Sequence, residues 1–133
     1  MAQCLGDAFG NPSSIHAAGR HARELVERAR AEVAALVGAT PDEIVFTSGG
    51  TEANNLALRA ARGGRVVTTS VEHPSITEAA GAEAAGDSAF RLPVDADGVV
   101  LLDALRRALN DPPGSVALVS VQWANHETGT LQP

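Results

Sequence analysis

The chain has 133 residues, 44% of them hydrophobic and only 3% aromatic, with a formal net charge of -6. That length suits one domain around one core, and the acidic balance argues against a nucleic-acid partner, which needs a clustered excess of basic groups. All 10 basic residues are arginines, and the one cysteine, Cys4, excludes an internal disulfide and is compatible with a reducing cytosol.

The clearest helical periodicity runs from Ala17 to Val37, where Ala22, Leu25, Val26, Ala29, Val33, Leu36 and Val37 recur every three or four residues and form one apolar face. Ser13 or Ser14 suits its N-cap, and Gly38 and Pro41 stop it. Arg20, Arg23, Arg28 and Arg30 alternate with Glu24, Glu27 and Glu32, a spacing that predicts ion pairs along a solvated helix face. The β-branched and aromatic run Ile44–Thr47 predicts a buried strand, and Thr51–Ala61 a helix. A strand follows over Arg65–Thr69, then a helix from Pro74 to about Ala85 and a strand over Ala89–Val94. Asp97-Gly98 marks a turn, Leu101–Leu109 an amphipathic helix ended by Asp111-Pro112-Pro113-Gly114, and Val116–Val121 a near-continuous apolar strand.

Strands alternating with helices predict an α/β class with a mostly parallel sheet flanked by helices. The core is dominated by alanine, valine and leucine, which pack closely but supply few bulky anchors, so it is expected to need a further covering surface. No apolar run approaches the roughly 20 residues that span a bilayer, and the start lacks the pattern of a signal peptide. The expectation is a cytoplasmic chain that does not engage a membrane. Both ends read as cut, since Met1–Asp7 carries no element of its own and the sequence stops at Gln132-Pro133 after a polar loop.

Four segments carry chemistry. Phe46–Glu52 reads as strand, Ser48-Gly49-Gly50 turn and helix start. Its glycines permit a sharp turn, and the amides of Gly49, Gly50 and Thr51 would face an anion such as phosphate, with the Thr51 hydroxyl as a further donor. It matches neither the dinucleotide pattern nor a P-loop, which requires a lysine. Glu72-His73-Pro74 lies at a strand end, where parallel sheets collect ligands. There an imidazole can lie against an aromatic ring and handle protons, or simply cap the next helix. Trp123–Thr130 places an amide, an imidazole and a carboxylate at a third strand end, or forms a polar turn. Gly10–His16 reads as a turn into the first helix. No metal site is expected, because His16 and His21 are off the i, i+4 spacing and no Cys/His pattern is present.

Taken in order, Gly10-Asn11-Pro12-Ser13-Ser14 with His16 and Gly19-Arg20, Ile44–Asn55, Glu72-His73 and Ala124–Gly129 resemble the cysteine desulfurases, in the class V aminotransferase branch of fold-type I pyridoxal phosphate enzymes. The resemblance implies that residues 1–133 form an incomplete large domain of that fold. It implies that Gly50 and Thr51 hold the phosphate of pyridoxal 5'-phosphate, and that His73 stacks on the pyridine ring as a catalytic and cofactor-binding residue. It also places His126 where the family's late loop has its second asparagine, which reaches the cofactor, with Asn125 at the first. An imidazole there loses the amide's paired donor and acceptor.

The resemblance implies a substrate, L-cysteine, whose sulfur passes to an enzyme cysteine for iron–sulfur cluster or thio-cofactor assembly, leaving alanine. The family's aspartate at the pyridine nitrogen, its cofactor-bearing lysine and its sulfur-accepting cysteine have no counterpart here; Cys4 lies at the wrong end and reads as a small, partly buried side chain. The expectation is therefore a fragment inactive alone, acting as a homodimer or with a complementing C-terminal half. The alternatives are a fragment of another class V enzyme, or a non-catalytic module that pairs with a desulfurase.

Overall fold

The computed structural model describes residues 6–61, 63–83, 89–110, 112 and 114–133; Cys4, Asp111 and Pro113 lie outside them. The chain divides into two compact units, Met1–Phe46 and Thr47–Pro133.

In the first unit, helix α1 spans Ala17–Val37. Its start differs from the expected serine cap: His16 is the N-cap, with extended backbone and Nδ1 accepting from the Gly19 amide at 3.3 Å. The serines are used earlier, in a turn around Asn11, whose Oδ1 accepts from the Ser13 amide and whose carbonyl accepts from the Ser14 amide, both at 2.9 Å. This turn lies so close to the helix that a Cβ on Gly19 would sit 2.4 Å from the Ser14 carbonyl oxygen. Gly38 ends the helix in the left-handed region at φ 71°, its amide bonded to the Ala34 carbonyl.

The predicted lattice of ion pairs is mostly replaced. Arg20 donates to the Ile15 carbonyl at 2.6 Å and Arg23 to the Pro12 carbonyl at 2.7 Å, while Arg30 pairs with Glu27 at 3.1 Å. Carbonyls exposed in the entry turn offer fixed acceptors, which an exposed glutamate does not. Of the predicted apolar face, Ala22 is buried and Leu25 and Val26 are half-buried, but Val33, Leu36 and Val37 are exposed, Leu36 by 85%.

A 3₁₀ turn, Pro41–Glu43, follows. Glu43 accepts from the Thr40 amide at 2.7 Å and its hydroxyl at 2.8 Å, and these bonds, the amide foremost, hold its carboxyl below the ordinary value. Ile44–Thr47 is not the expected strand. Ile44 is extended, at φ -98° and ψ 123°, but its carbonyl accepts from Arg30 at 2.5 Å, and the Arg30 guanidinium lies 5.0 Å from the Phe46 ring centroid. β-propensity straightens the backbone there, but a ladder needs a neighbouring strand, and residues 6–46 contain none.

The second unit holds α2 (Gly50–Ala60), β1 (Arg65–Thr69), α3 (Pro74–Glu83), β2 (Ala89–Leu92), α4 (Leu102–Asn110) and β3 (Val116–Ser120). The strands form a parallel sheet in the order β2-β1-β3, with Val67 opposite Phe90 and Val119. This is the expected α/β arrangement of a parallel sheet flanked by helices. Alternation along β1 divides its side chains between two cores. Val67 packs with Leu92, Val100, Ala104 and Ala108, bringing in α4, while Val66 packs against Leu58, Ile76 and Ala80 of α2 and α3.

Some boundaries shift. β2 ends at Leu92 because Pro93 has no amide to donate, and Val94 instead bridges Val100 in antiparallel fashion. The intervening turn closes with Asp95 Oδ1 accepting from the Asp97 and Val99 amides at 2.9 Å, and with Gly98 at φ 78°. β3, expected as a near-continuous apolar strand over Val116–Val121, spans Val116–Ser120 and alternates between half-buried and exposed positions because it is an edge. Among the described residues it pairs within the sheet only with β1, and it carries neither charge nor proline, whereas β2 on the opposite edge holds Arg91 and runs into Pro93. No helix among the described residues is long and apolar enough to cross a membrane.

Candidate functional site

Parallel pairing places the C-terminal ends of β1 and β3 at one edge of the sheet, so the segments that follow, Ser70–His73 and Val121–Thr130, emerge side by side. Both belong to the Thr47–Pro133 unit. Two hydrogen-bonding side chains join them, Glu72 half-buried and Asn125 buried. Glu72 Oε1 accepts from the Thr69 hydroxyl and from the Gln122 amide, each at 2.8 Å. Asn125, 8% exposed, donates from Nδ2 to the Val71 carbonyl at 3.0 Å. Its Oδ1 accepts from the Glu127 and Thr128 amides at 2.9 and 3.0 Å, which shapes the loop that carries His126. The loop is closed by an antiparallel bridge between Ala124 and Leu131. Gln132 anchors it further, accepting from the Val100 amide at 2.8 Å and donating to the Gly98 carbonyl at 2.9 Å.

These ties bring His73 and His126 together, ring centroids 5.5 Å apart and planes tilted by 51°. His73 caps α3: its Nδ1 accepts from the Ser75 amide at 3.1 Å, and its carbonyl accepts from the Ile76 amide at 2.8 Å. Ser75 Oγ also lies 2.8 Å from Nδ1 and receives a hydrogen bond from Asn54 Nδ2 at 2.8 Å. His126 faces Gln122 Nε2 through Nδ1 at 3.2 Å, and its Nε2 is 3.8 Å from Glu127. A cleft of about 220 Å³ opens here, lined by Asn54, Glu72, His73, Ile76, Ser120, Val121 and Gln122. A neighbouring one of about 270 Å³ is bounded by Asn125, His126 and the Ser70–Glu72 segment.

Gly50 and Thr51 are the first two residues of α2, one turn before Asn54, so the same helix that presents them also reaches Ser75 behind His73. The first intrahelical bond is from the Ala53 amide to the Gly49 carbonyl, at 3.1 Å. The Gly50, Thr51 and Glu52 amides therefore precede the i→i−4 ladder and face outward along the dipole. The chain bends at Ser48 and Gly49 as expected, with Gly49 extended, at φ 165°, and Gly50 already helical. What the glycines leave is room, because a Cβ on either would meet nothing within 4 Å. Glu52 closes this end from within, accepting from the Ser48 amide at 2.6 Å and hydroxyl at 2.7 Å. The hydroxyl bond and then the amide bond lower its pKa.

The predicted site residues thus fall into two places, His73 with His126 at the strand ends and Gly50 with Thr51 at the start of α2. Sequence reasoning missed Glu72, Gln122, Ser75 and Asn54 as the groups that join the loops and fix the ring. The available signal was slight: a glutamate beside the histidine, a serine two residues after it, and an asparagine one turn beyond Thr51.

Among curated proteins, the chain is 41% identical over 140 residues to "Cysteine desulfurase IscS" of Dictyoglomus turgidum, covering 100% of this chain and 35% of that protein. To "IscS-like cysteine desulfurase" of Mycobacterium tuberculosis it is 45% identical over 136 residues, covering 94% and 34%. It spans about a third of the length of these relatives. Among solved structures, a "NIFS-LIKE PROTEIN" superposes with a TM-score of 0.86 at 34% identity, covering 99% of this chain and 37% of that one. DndA from Streptomyces lividans follows at 0.81 and 35% identity, covering 99% and 38%. The model for "Aminotransferase class-V" matches residues 1–133, and the chain belongs to that family.

Proposed function

We propose that this chain forms the phosphate- and ring-binding part of a pyridoxal 5'-phosphate-dependent cysteine desulfurase, acting in the cytoplasm as a homodimer or with a complementing polypeptide. The reaction of the whole enzyme would move the sulfur of L-cysteine to an enzyme cysteine. The thiol becomes a persulfide and alanine is released, and the persulfide serves iron–sulfur cluster or thio-cofactor assembly. The observation that carries this reading is the placement of His73 and His126, 5.5 Å apart, in the same unit as the open start of α2.

The residues fit the cofactor's two non-covalent faces. The Gly50 and Thr51 amides and the Thr51 hydroxyl would hold the phosphate, where the helix dipole favours negative charge and no Cβ intrudes. His73 offers a ring held at one nitrogen, suited to lie against a flat aromatic system. His126 offers one hydrogen bond beside it, and Gln122, one of the residues lining the cleft, has its Oε1 buried without a hydrogen-bond partner among the described residues. When bound, pyridoxal phosphate supplies an electron-withdrawing ring that labilises the α-proton of an amino acid. The 133 residues contain no lysine, so the covalent anchor must come from another polypeptide segment.

The test is titration of the purified chain with pyridoxal phosphate, followed by absorbance. Expected are saturable binding, competition by inorganic phosphate, and no cofactor fixed to the chain by borohydride. Absence of binding by a folded chain overturns the proposal.

A further inference from the structure

We infer that Ser75, backed by Asn54, is a positioning residue that holds the His73 imidazole as its Nε2–H tautomer in one ring orientation. The argument is one of donors and acceptors. A backbone amide can only donate, so the Ser75 amide 3.1 Å from Nδ1 requires a lone pair on that nitrogen. The proton of the neutral ring is therefore on Nε2. The Ser75 hydroxyl, 2.8 Å from the same Nδ1, uses its single proton there, and its oxygen accepts from Asn54 Nδ2 at 2.8 Å. With the Ser75 amide fixing Nδ1 as an acceptor, the Ser75 hydroxyl shares the same lone pair as a second donor and accepts from Asn54 in turn. If the Asn54 amide were turned over, the Ser75 amide would still face Nδ1, so the tautomer does not depend on that choice.

The row also fixes the ring plane. Turning the imidazole by half a revolution about Cβ–Cγ would bring a carbon to the two Ser75 donors and forfeit both bonds. A simple helix cap needs only the amide; the hydroxyl and the asparagine behind it add a second donor and a tether to α2. Nε2–H is then the ring's remaining polar group, and its centroid stays 5.5 Å from that of His126. The functional weight of this row rests on the proposed stacking of His73 against the cofactor; the tautomer itself does not.

The experiment is a two-bond proton–nitrogen correlation spectrum of the 15N-labelled full chain, at a pH where imidazoles are neutral. The His73 signals are assigned by their loss in H73Q. Wild type is expected to show the Nε2–H pattern. S75A should lower the ratio of Nε2–H to Nδ1–H by roughly fivefold, the factor one net hydrogen bond supplies, with S75T restoring it. N54A should shift the ratio in the same direction and serves where S75A does not fold. An Nδ1–H pattern in wild type, or unchanged ratios in both S75A and N54A, overturns the inference. A pyridoxal phosphate titration of the same samples separates the two claims. The expected ratios without cofactor binding leave the row standing and remove the proposed function, whereas binding with an Nδ1–H ring does the reverse.

Discussion

Two helices in this chain begin at a histidine, and the two beginnings are not alike. His16 starts α1 with one long bond, Nδ1 to the Gly19 amide at 3.3 Å, and its neighbours are carbonyls held by Arg20 and Arg23. His73 starts α3 with two donors on Nδ1 at 3.1 and 2.8 Å, an asparagine behind them, and a second imidazole 5.5 Å away. An N-cap requires one acceptor and no more. What exceeds that requirement at His73 orients the ring rather than starting the helix, and it occurs where parallel strands end. The same residue type in the same capping role is held by one bond at one place and by two, with an asparagine behind them, at the other, and under the proposed function that excess serves a ligand.

The strongest way to break the comparison is to spoil the His16 side by steric force. Gly19→Ala places a Cβ 2.4 Å from the Ser14 carbonyl oxygen and 2.8 Å from that of Asn11. Backbone atoms cannot move aside cheaply, so a loss of about 2–3 kcal/mol is expected by chemical denaturation. An unchanged midpoint would mean the entry turn is not packed as described. The comparison sharpens most directly on ligand binding. His73→Ala should weaken pyridoxal phosphate binding by about tenfold or more, or about 1.4 kcal/mol or more, while His16→Ala leaves it unchanged; equal effects would erase the distinction. As caps alone, both substitutions should cost about 1 kcal/mol of stability.

The smallest effect concerns pH at the start of α2. The Ser48 hydroxyl and amide hold the Glu52 carboxyl below its ordinary value, so its bonds contribute above the ordinary carboxylate pKa. They are lost as pH falls through the lowered one. The Glu52 side-chain shift followed by NMR should titrate below an unstructured glutamate, with the protection of the Ser48 amide, relative to its intrinsic exchange rate, falling at the acid end. A midpoint at or above the ordinary value would contradict the geometry.

Much of the fold could be read locally. Helix α1 has the predicted bounds, Ala17–Val37, because Gly38 and Pro41 punctuate its end, and β1 has its predicted span, Arg65–Thr69. The errors have physical causes. Ser13 and Ser14 look like caps, but Asn11 captures both amides first. Ile44–Thr47 has strand composition, yet composition cannot supply a pairing neighbour. At the site, the histidines were visible because their residue type is informative alone. Glu72 bonding the Gln122 amide 50 residues away, or Asn54 reaching Ser75 across 21, was not, since ordinary polar side chains gain their meaning from proximity. The glycines at 49 and 50 were read as a sharp turn, and the structure adds that they leave open space around them.

The two margins of the sheet differ as a defended border differs from an open one. Arg91 and the following Pro93 discourage addition beyond β2, while Val116–Ser120 presents its unpaired side without charge or proline. Among the described residues, the margin of the sheet left without such a guard is that of β3, beside the loop that carries His126.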